Sequence, residues 1–105
     1  MTPEDRFSDL VDEVLGRHPD VTPPGGGRGF GRSALRVHGR IFAMLVRGEL
    51  VVKLPAVRVA AEVAAGGGRP FDANKGRPMK EWLVVAGDDP ARWEALADEA
   101  LAFVA

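Results

Sequence analysis

Residues Ser33 to Leu54 have the sequence SALRVHGRIFAMLVRGELVVKL, which carries the most regular pattern in the chain. Three short apolar segments are separated by two dipeptides, His38-Gly39 and Arg47-Gly48. Glycine at the second position suits two-residue hairpin turns, because the positive φ angles of these turns cost glycine little. The stretch therefore predicts three antiparallel strands joined by two tight hairpins.

The order of apolar residues in these strands predicts a sheet with two apolar faces. Directly opposed residues of antiparallel strands point to the same side of a sheet. One face is expected to hold Ile41, Ala43, Leu45, Leu50, Val52 and Leu54, and the other Leu35, Val37, Phe42, Met44, Val46, Val51 and Lys53. A single layer of helices covers one face, so we expect the terminal segments, the proline-rich connection or a second copy to cover the other. The sequence thus predicts a homodimer interface that includes Phe42, Met44 and Val46.

Helix signals flank the strands on both sides. Thr2 and Pro3 predict the start of a first helix, Pro55 opens a second, and Asp88 or Asp89 caps a third. Further extended segments are predicted at 70–72 and 79–85. The expected fold class is α+β, a two-layer arrangement of an antiparallel sheet packed by helices in the order α-β-β-β-α-β-β-α.

The length of 105 residues predicts a single domain over residues 1–105, with a connection rich in proline and glycine at about 17–29. Cysteine is absent, which excludes disulfides, a thiolate nucleophile and cysteine-based zinc sites. His18 and His38 have no clustered acid or cysteine at ligand spacing, so we expect no metal. Gly26 to Ser33 is one residue from a phosphate-loop pattern, but a strand follows it instead of a helix, so we expect no cofactor.

The first residues are acidic and lack the basic and apolar regions of a secretory signal, and no apolar run is long enough to span a bilayer. The sequence therefore predicts a bacterial cytoplasmic protein without a membrane partner.

Charge is segregated along the chain. Residues 21–80 carry eleven basic residues against three acidic ones, whereas the residues on either side are predominantly acidic. Two interpretations stay open. Either the acidic terminal helices lie across the basic sheet and neutralise it, or the basic middle segment binds an anion. The candidate nucleic-acid contacts are Arg28, Arg32, Arg36, Arg40, Lys53, Lys75, Arg77 and Lys80.

Short motifs between Gly29 and Trp82 resemble a known family. They are Gly29-Phe30-Gly31, His38 to Ala43, Leu50 to Leu54, Pro70-Phe71 and Gly76 to Trp82. Together they resemble the TfoX N-terminal domain family, related to YjbR-like proteins. The resemblance implies a two-layer α+β fold close to the secretion-chaperone-like and YjbR-like architecture. Some members are competence regulators, relatives are often labelled DNA-binding proteins, and no catalytic residues define the family.

The sequence does not assemble a nucleophile, a base and an orienting group, so we expect no enzymatic activity. The leading hypothesis is a non-enzymatic interaction domain, a small regulatory or accessory protein that acts through protein partners or self-association. The alternative is a regulator that binds nucleic acid, DNA in particular, through the basic middle segment.

Overall fold

The computed structural model describes residues 2–24, 34–72, 76 and 79–105. Within these residues the element order is α-β-β-β-β-α-β-β-α. The elements are α1 (Pro3–Arg17), β1 (Val21–Thr22), β2 (Ala34–Val37), β3 (Arg40–Val46), β4 (Glu49–Lys53), α2 (Ala56–Ala64), β5 (Gly68–Phe71), β6 (Met79–Val85) and α3 (Pro90–Val104). The predicted α+β class, with helices packed on an antiparallel sheet, is confirmed. The two-residue strand β1 was not predicted.

The strands form one sheet in the order β1-β2-β3-β4-β6-β5, and every neighbouring pair is antiparallel. Both predicted hairpins are present. Their turns have positive φ at both central residues, 51° and 79° at His38-Gly39 and 50° and 79° at Arg47-Gly48, as the tight type I′ turn requires. β6 lies between β4 and β5, so α2 carries the chain from the middle of the sheet to its far edge.

A bulge in β3 changes which residues share a face. Leu35 pairs with Ala43 and Arg36 pairs with Ile41, which leaves Phe42 without a partner on β2. Phe42 and Ala43 consequently both pack in the helix-covered core, while Ile41 turns to the opposite face. The strict alternation predicted from sequence is therefore wrong at this end of β3, because one extra residue reverses the phase of the strand.

All three helices pack on one face of the sheet. α3 lies over β3 and β4, α1 packs against α3 and β1, and α2 covers β5 and β6. The core between the layers includes fully buried Leu35, Val37, Phe42, Leu50 and Leu54 together with Trp93 of α3. Leu35 and Val37 thus belong to the helix-covered face, and their predicted assignment to the other face is also wrong.

The helix ends follow the predicted capping signals. Thr2 and Asp5 form a reciprocal capping box at the start of α1, and the Asp89 carboxylate accepts a hydrogen bond of 3.2 Å from the backbone N–H of Ala91 at the start of α3. These bonds satisfy amides that have no partner within the helix. Proline in the first turn adds to the effect in both helices.

The face opposite the helices is apolar as well. Ala34, Met44, Val51, Phe71 and Val84 form a second buried cluster, with no member more than 5% exposed. Ile41, Val46, Met79 and Trp82 pack against it and are partly buried. The predicted two apolar faces are therefore present, but the centre of the second one is already buried within the single chain.

Trp93 fills the centre of the helix layer. It is 1% exposed, and its indole N–H donates a hydrogen bond of 3.1 Å to the carbonyl of Gly87. We predict that Trp93→Ala lowers the free energy of unfolding by about 3 to 5 kcal/mol, because it leaves a large cavity. Trp93→Phe is the matched control and should cost less. Urea denaturation measures both, and an unchanged midpoint for Trp93→Ala would contradict the packing described here.

Ion pairs tie α2 to α3. Glu62 of α2 accepts a hydrogen bond of 2.9 Å from Arg92 of α3, and Arg58 bonds both Glu62 and Glu99. Arg92 lowers the pKa of the Glu62 carboxyl from its ordinary 4.5, and Arg58 adds to the shift.

A lowered carboxyl pKa means that the folded chain binds this proton less readily than the unfolded chain. The stabilisation is therefore present above the ordinary value of 4.5 and is lost as the pH falls through the lower folded value. We predict that Glu62→Gln is less stable than the parent at pH 7 and that the difference shrinks towards pH 3. Denaturant titrations across this range test it, and a difference that stays constant with pH would contradict it.

Candidate functional site

Basic and aromatic side chains meet at the end of the sheet where β3 begins and β4 ends. They surround a hollow of about 610 Å³, which we call the basic hollow. Strands β2, β3, β4 and β6 and the last turn of α3 contribute its lining. The lining residues are Arg36, Gly39, Arg40, Ile41, Lys53, Trp82, Phe103 and Val104.

Strand pairing brings the basic side chains to this end of the sheet. Arg36 of β2 is directly opposite Ile41 of β3, and Lys53 of β4 is directly opposite Trp82 of β6. Since opposed residues point the same way, these four side chains project from the same face across four neighbouring strands. Arg40 follows the hairpin turn and is exposed at the start of β3.

Two of the three cations in the hollow have no ion-pair partner. Arg6, Arg17, Arg58, Arg69 and Arg92 each lie within 4.0 Å of a carboxylate. Among the described residues Arg36, Arg40, Arg47 and Lys80 have no such neighbour, and the remaining positions contain no aspartate or glutamate. Of these four, Arg36 and Arg40 line the hollow. Lys53 has Glu81 at 4.0 Å, the outer limit of an ion pair. The hollow therefore has an excess of positive charge.

The two aromatic residues of the hollow, Trp82 and Phe103, differ in their interactions. The Lys53 ammonium lies 5.3 Å from the centroid of the Trp82 ring, over its face, in a cation–π arrangement. Trp82 also packs against the second buried cluster, so it forms a partly buried floor. Phe103, at the end of α3, is 40% exposed, and no cation of the described residues lies over its ring.

The hollow brings together three of the eight predicted nucleic-acid contacts, Arg36, Arg40 and Lys53. Lys80 instead lines a separate groove beside α2. The other four, Arg28, Arg32, Lys75 and Arg77, lie outside the described residues. The expectation that acidic terminal helices neutralise the basic segment holds for Arg58, which pairs with Glu99 of α3. It fails at the hollow, because the acids of α3 bind arginines elsewhere.

An apolar groove of about 650 Å³ runs along α2 and is called the α2 groove below. It is lined by Ala56, Val57, Val59, Ala60, Val63, Ala64, Pro70 and Lys80. Val57 is 76% exposed. Together with Phe103 it makes up the exposed large apolar side chains of the described residues.

The predicted interface of Phe42, Met44 and Val46 needs correction. Phe42 is fully buried beneath the helices, on the opposite face from the other two residues, because of the bulge in β3. Met44 is only 5% exposed. These three residues therefore do not form one surface of the single chain, although self-association itself stays a prediction.

The two edge strands of the sheet are poorly suited to pairing with a strand of another chain. β1 has two residues and is followed by Pro23 and Pro24, and β5 contains Arg69 and Pro70. Short edge strands, charges and prolines are the usual means of preventing pairing between sheet edges. An association of copies would therefore have to use side-chain surfaces.

Phe103 is not among the residues predicted from the sequence. The available signal was helical spacing, since Phe103 comes seven residues after buried Leu96 and so falls at the flank of the apolar stripe of α3. That spacing alone does not reveal that the ring borders a basic hollow instead of the core.

Other site types have little support in the described residues. No group of three histidine, aspartate or glutamate side chains comes together there as metal ligands. His18 lies 3.7 Å from Asp98 and His38 lies 3.8 Å from Asp20, each as a single pair. No helix in this part of the chain combines the length and apolar character needed to cross a bilayer.

Searches of protein-family models, curated proteins and solved structures return no match to this chain.

Proposed function

We propose that this chain is a non-enzymatic binding domain, and that the basic hollow binds nucleic acid. The observation that carries the proposal is the presence of three cations in one hollow, two of them without a carboxylate partner. Arginine binds phosphate through a planar, bidentate set of donors. Because Arg36 and Arg40 line an open hollow, their donors are available to a phosphate backbone.

The composition of the lining supports binding over catalysis. Within the described residues, no carboxylate, imidazole, thiol or hydroxyl side chain lines the hollow. General acid–base or nucleophilic chemistry commonly depends on such groups, held within hydrogen-bond reach of each other. Of the described residues that line the hollow, Lys53 is the one whose side chain can in principle act as a base or nucleophile. Its ammonium instead lies over the Trp82 ring, with Glu81 at 4.0 Å. Charge and shape therefore favour recognition of an anion.

Membership of the TfoX N-terminal domain family is part of the same proposal. Its support is the set of motif residues between Gly29 and Trp82, together with an antiparallel sheet that carries helices on one face. A small regulatory role in the bacterial cytoplasm is consistent with this proposal.

We predict that the protein binds a labelled DNA of twenty nucleotides and that the affinity falls steeply with salt, because phosphate contacts release counterions. Arg36→Gln and Arg40→Gln should each weaken binding and reduce the slope of log Kd against log salt by about one. Fluorescence anisotropy across a salt series, with single-stranded and duplex forms of the same sequence, measures both quantities.

Arg47→Asn is the matched control, because Arg47 lies at the opposite end of β3 from Arg40. Asparagine tolerates the φ of 50° at this position. The control should leave the slope nearly unchanged. Equal effects of Arg40→Gln and Arg47→Asn would show that the charge is used without a defined site.

The α2 groove favours a second function, self-association. Its lining is apolar apart from Lys80 and includes Val57, which is 76% exposed. A two-fold symmetric pair brings the same surface of two copies together, so such an apolar surface can be covered by its own counterpart. Ala56, Ala60 and Ala64 follow each other at four-residue spacing, so two α2 helices can approach closely. The proposed occupant of the groove is therefore a second copy of this chain.

We predict that the protein is a dimer at tens of micromolar and that Val57→Glu makes it a folded monomer, since a charge buried at the centre of an apolar interface is costly. Ala91→Glu, at an exposed position in the first turn of α3, is the control and should remain dimeric. Sedimentation velocity distinguishes the two states. A monomeric parent protein would exclude the self-association hypothesis.

A further inference from the structure

The exposed ring of Phe103 borders the same hollow as the unpaired cations. Phenylalanine in a small soluble domain usually contributes to the core, yet Phe103 is 40% exposed at the last turn of α3. Arg36 and Arg40 line the same hollow from β2 and β3. An exposed ring and free guanidinium groups therefore face a common space.

The combination specifies a ligand with a flat apolar part and at least one negative charge. A nucleobase with its phosphate has this composition, since every base has a π-face that stacks on an aromatic ring. The hollow, at about 610 Å³, lies within the roughly 300 to 1,000 Å³ of sites that hold small organic ligands. It can therefore admit an unstacked base as well as the phosphate next to it.

The accessibility of base faces separates single strands from duplexes. In a duplex the faces are hidden inside the stack and side chains reach only the base edges and the backbone. In a single strand the bases can splay out and stack on aromatic side chains. Trp82 is less suited to this role than Phe103, because Lys53 already covers one of its faces.

We infer that the basic hollow binds single-stranded nucleic acid, with one unpaired base stacked on Phe103 and the adjoining phosphates on Arg36 and Arg40. This inference rests on the proposed nucleic-acid-binding function and adds the strand type and the base-stacking residue. Stacking tolerates any base, so the site should discriminate weakly among sequences.

The test compares a twelve-nucleotide oligo(dT), an oligo(dA) and the duplex that they form together, by fluorescence anisotropy at fixed salt. The protein should bind both single strands at least about tenfold more tightly than the duplex. Phe103→Ala should weaken single-strand binding by roughly 5- to 150-fold, the usual range for one stacked base. The salt slope should stay unchanged, since no phosphate contact is lost.

Two further variants test whether a loss of binding is due to the aromatic ring at position 103. Phe103→Trp should retain single-strand affinity and add a fluorescence signal that the bound strand quenches. Val11→Ala shortens an apolar side chain of α1 that lines neither the hollow nor the α2 groove, and it should leave the affinity unchanged. Circular dichroism checks that all variants keep the fold, which is expected since Phe103 lies outside both buried clusters.

The outcomes separate this inference from the function on which it rests. If duplex binds as tightly as single strands and Phe103→Ala has no effect, the inference is wrong, while reduced salt slopes for Arg36→Gln and Arg40→Gln would still support nucleic-acid binding. If neither form binds, both fail. If polyglutamate displaces the oligonucleotide at equal charge concentration, recognition needs no base and the inference is overturned.

Discussion

Phe42 is the extra residue of β3, since Leu35 pairs with Ala43 and Arg36 pairs with Ile41. β3 crosses the middle of the sheet, and its bulge allows Phe42 and Ala43 to enter the helix-covered core together. Ile41 is thereby turned outward beside Arg36, where β2 and β3 end in their tight hairpin. A regular strand would direct Phe42 to the face without helices and Ile41 to the core. The bulge therefore fixes both the packing beneath α3 and the outer wall of the basic hollow.

The distribution of ion pairs explains why positive charge persists at one end of the sheet. Glu94 and Asp98 of α3 bind Arg17 of α1, and Glu99 binds Arg58 of α2. These carboxylates join the helices to each other and are occupied away from β2 and β3. Exposed ion pairs of this kind contribute little stability individually. Their larger consequence is that the acidic helices leave the arginines of the β2–β3 hairpin without counter-charges.

Local rules were sufficient for much of the fold. The turns at His38-Gly39 and Arg47-Gly48, the cap at Thr2 and the extent of β6 all follow from a few neighbouring residues, and each is present. β1 was missed because two residues carry no periodicity, and their pairing depends on a strand twelve or more positions away. The bulge was missed because an unbroken apolar run does not show where its phase changes.

The candidate site was predictable only in part, for a related reason. Composition identified Arg36, Arg40 and Lys53 as basic residues of the middle segment, but not which of them share a surface with an aromatic ring. That depends on the order β2-β3-β4-β6 and on where α3 ends above it. The prediction of the interface residues was wrong for another reason. Phe42 was placed beside Met44 and Val46 by assuming strict alternation along β3, and the bulge reverses that alternation.

The two candidate surfaces are compatible because they share no residue. The basic hollow uses β2, β3, β4, β6 and the end of α3, and the α2 groove uses α2 with one residue each from β5 and β6. A pair of chains joined through α2 would therefore use none of the residues that line the hollows. One strand could then occupy two sites, and the second contact would benefit from a high effective concentration without any new interaction. Single sites with few phosphate contacts bind weakly at physiological salt, so pairing through α2 would give such a modest hollow useful affinity.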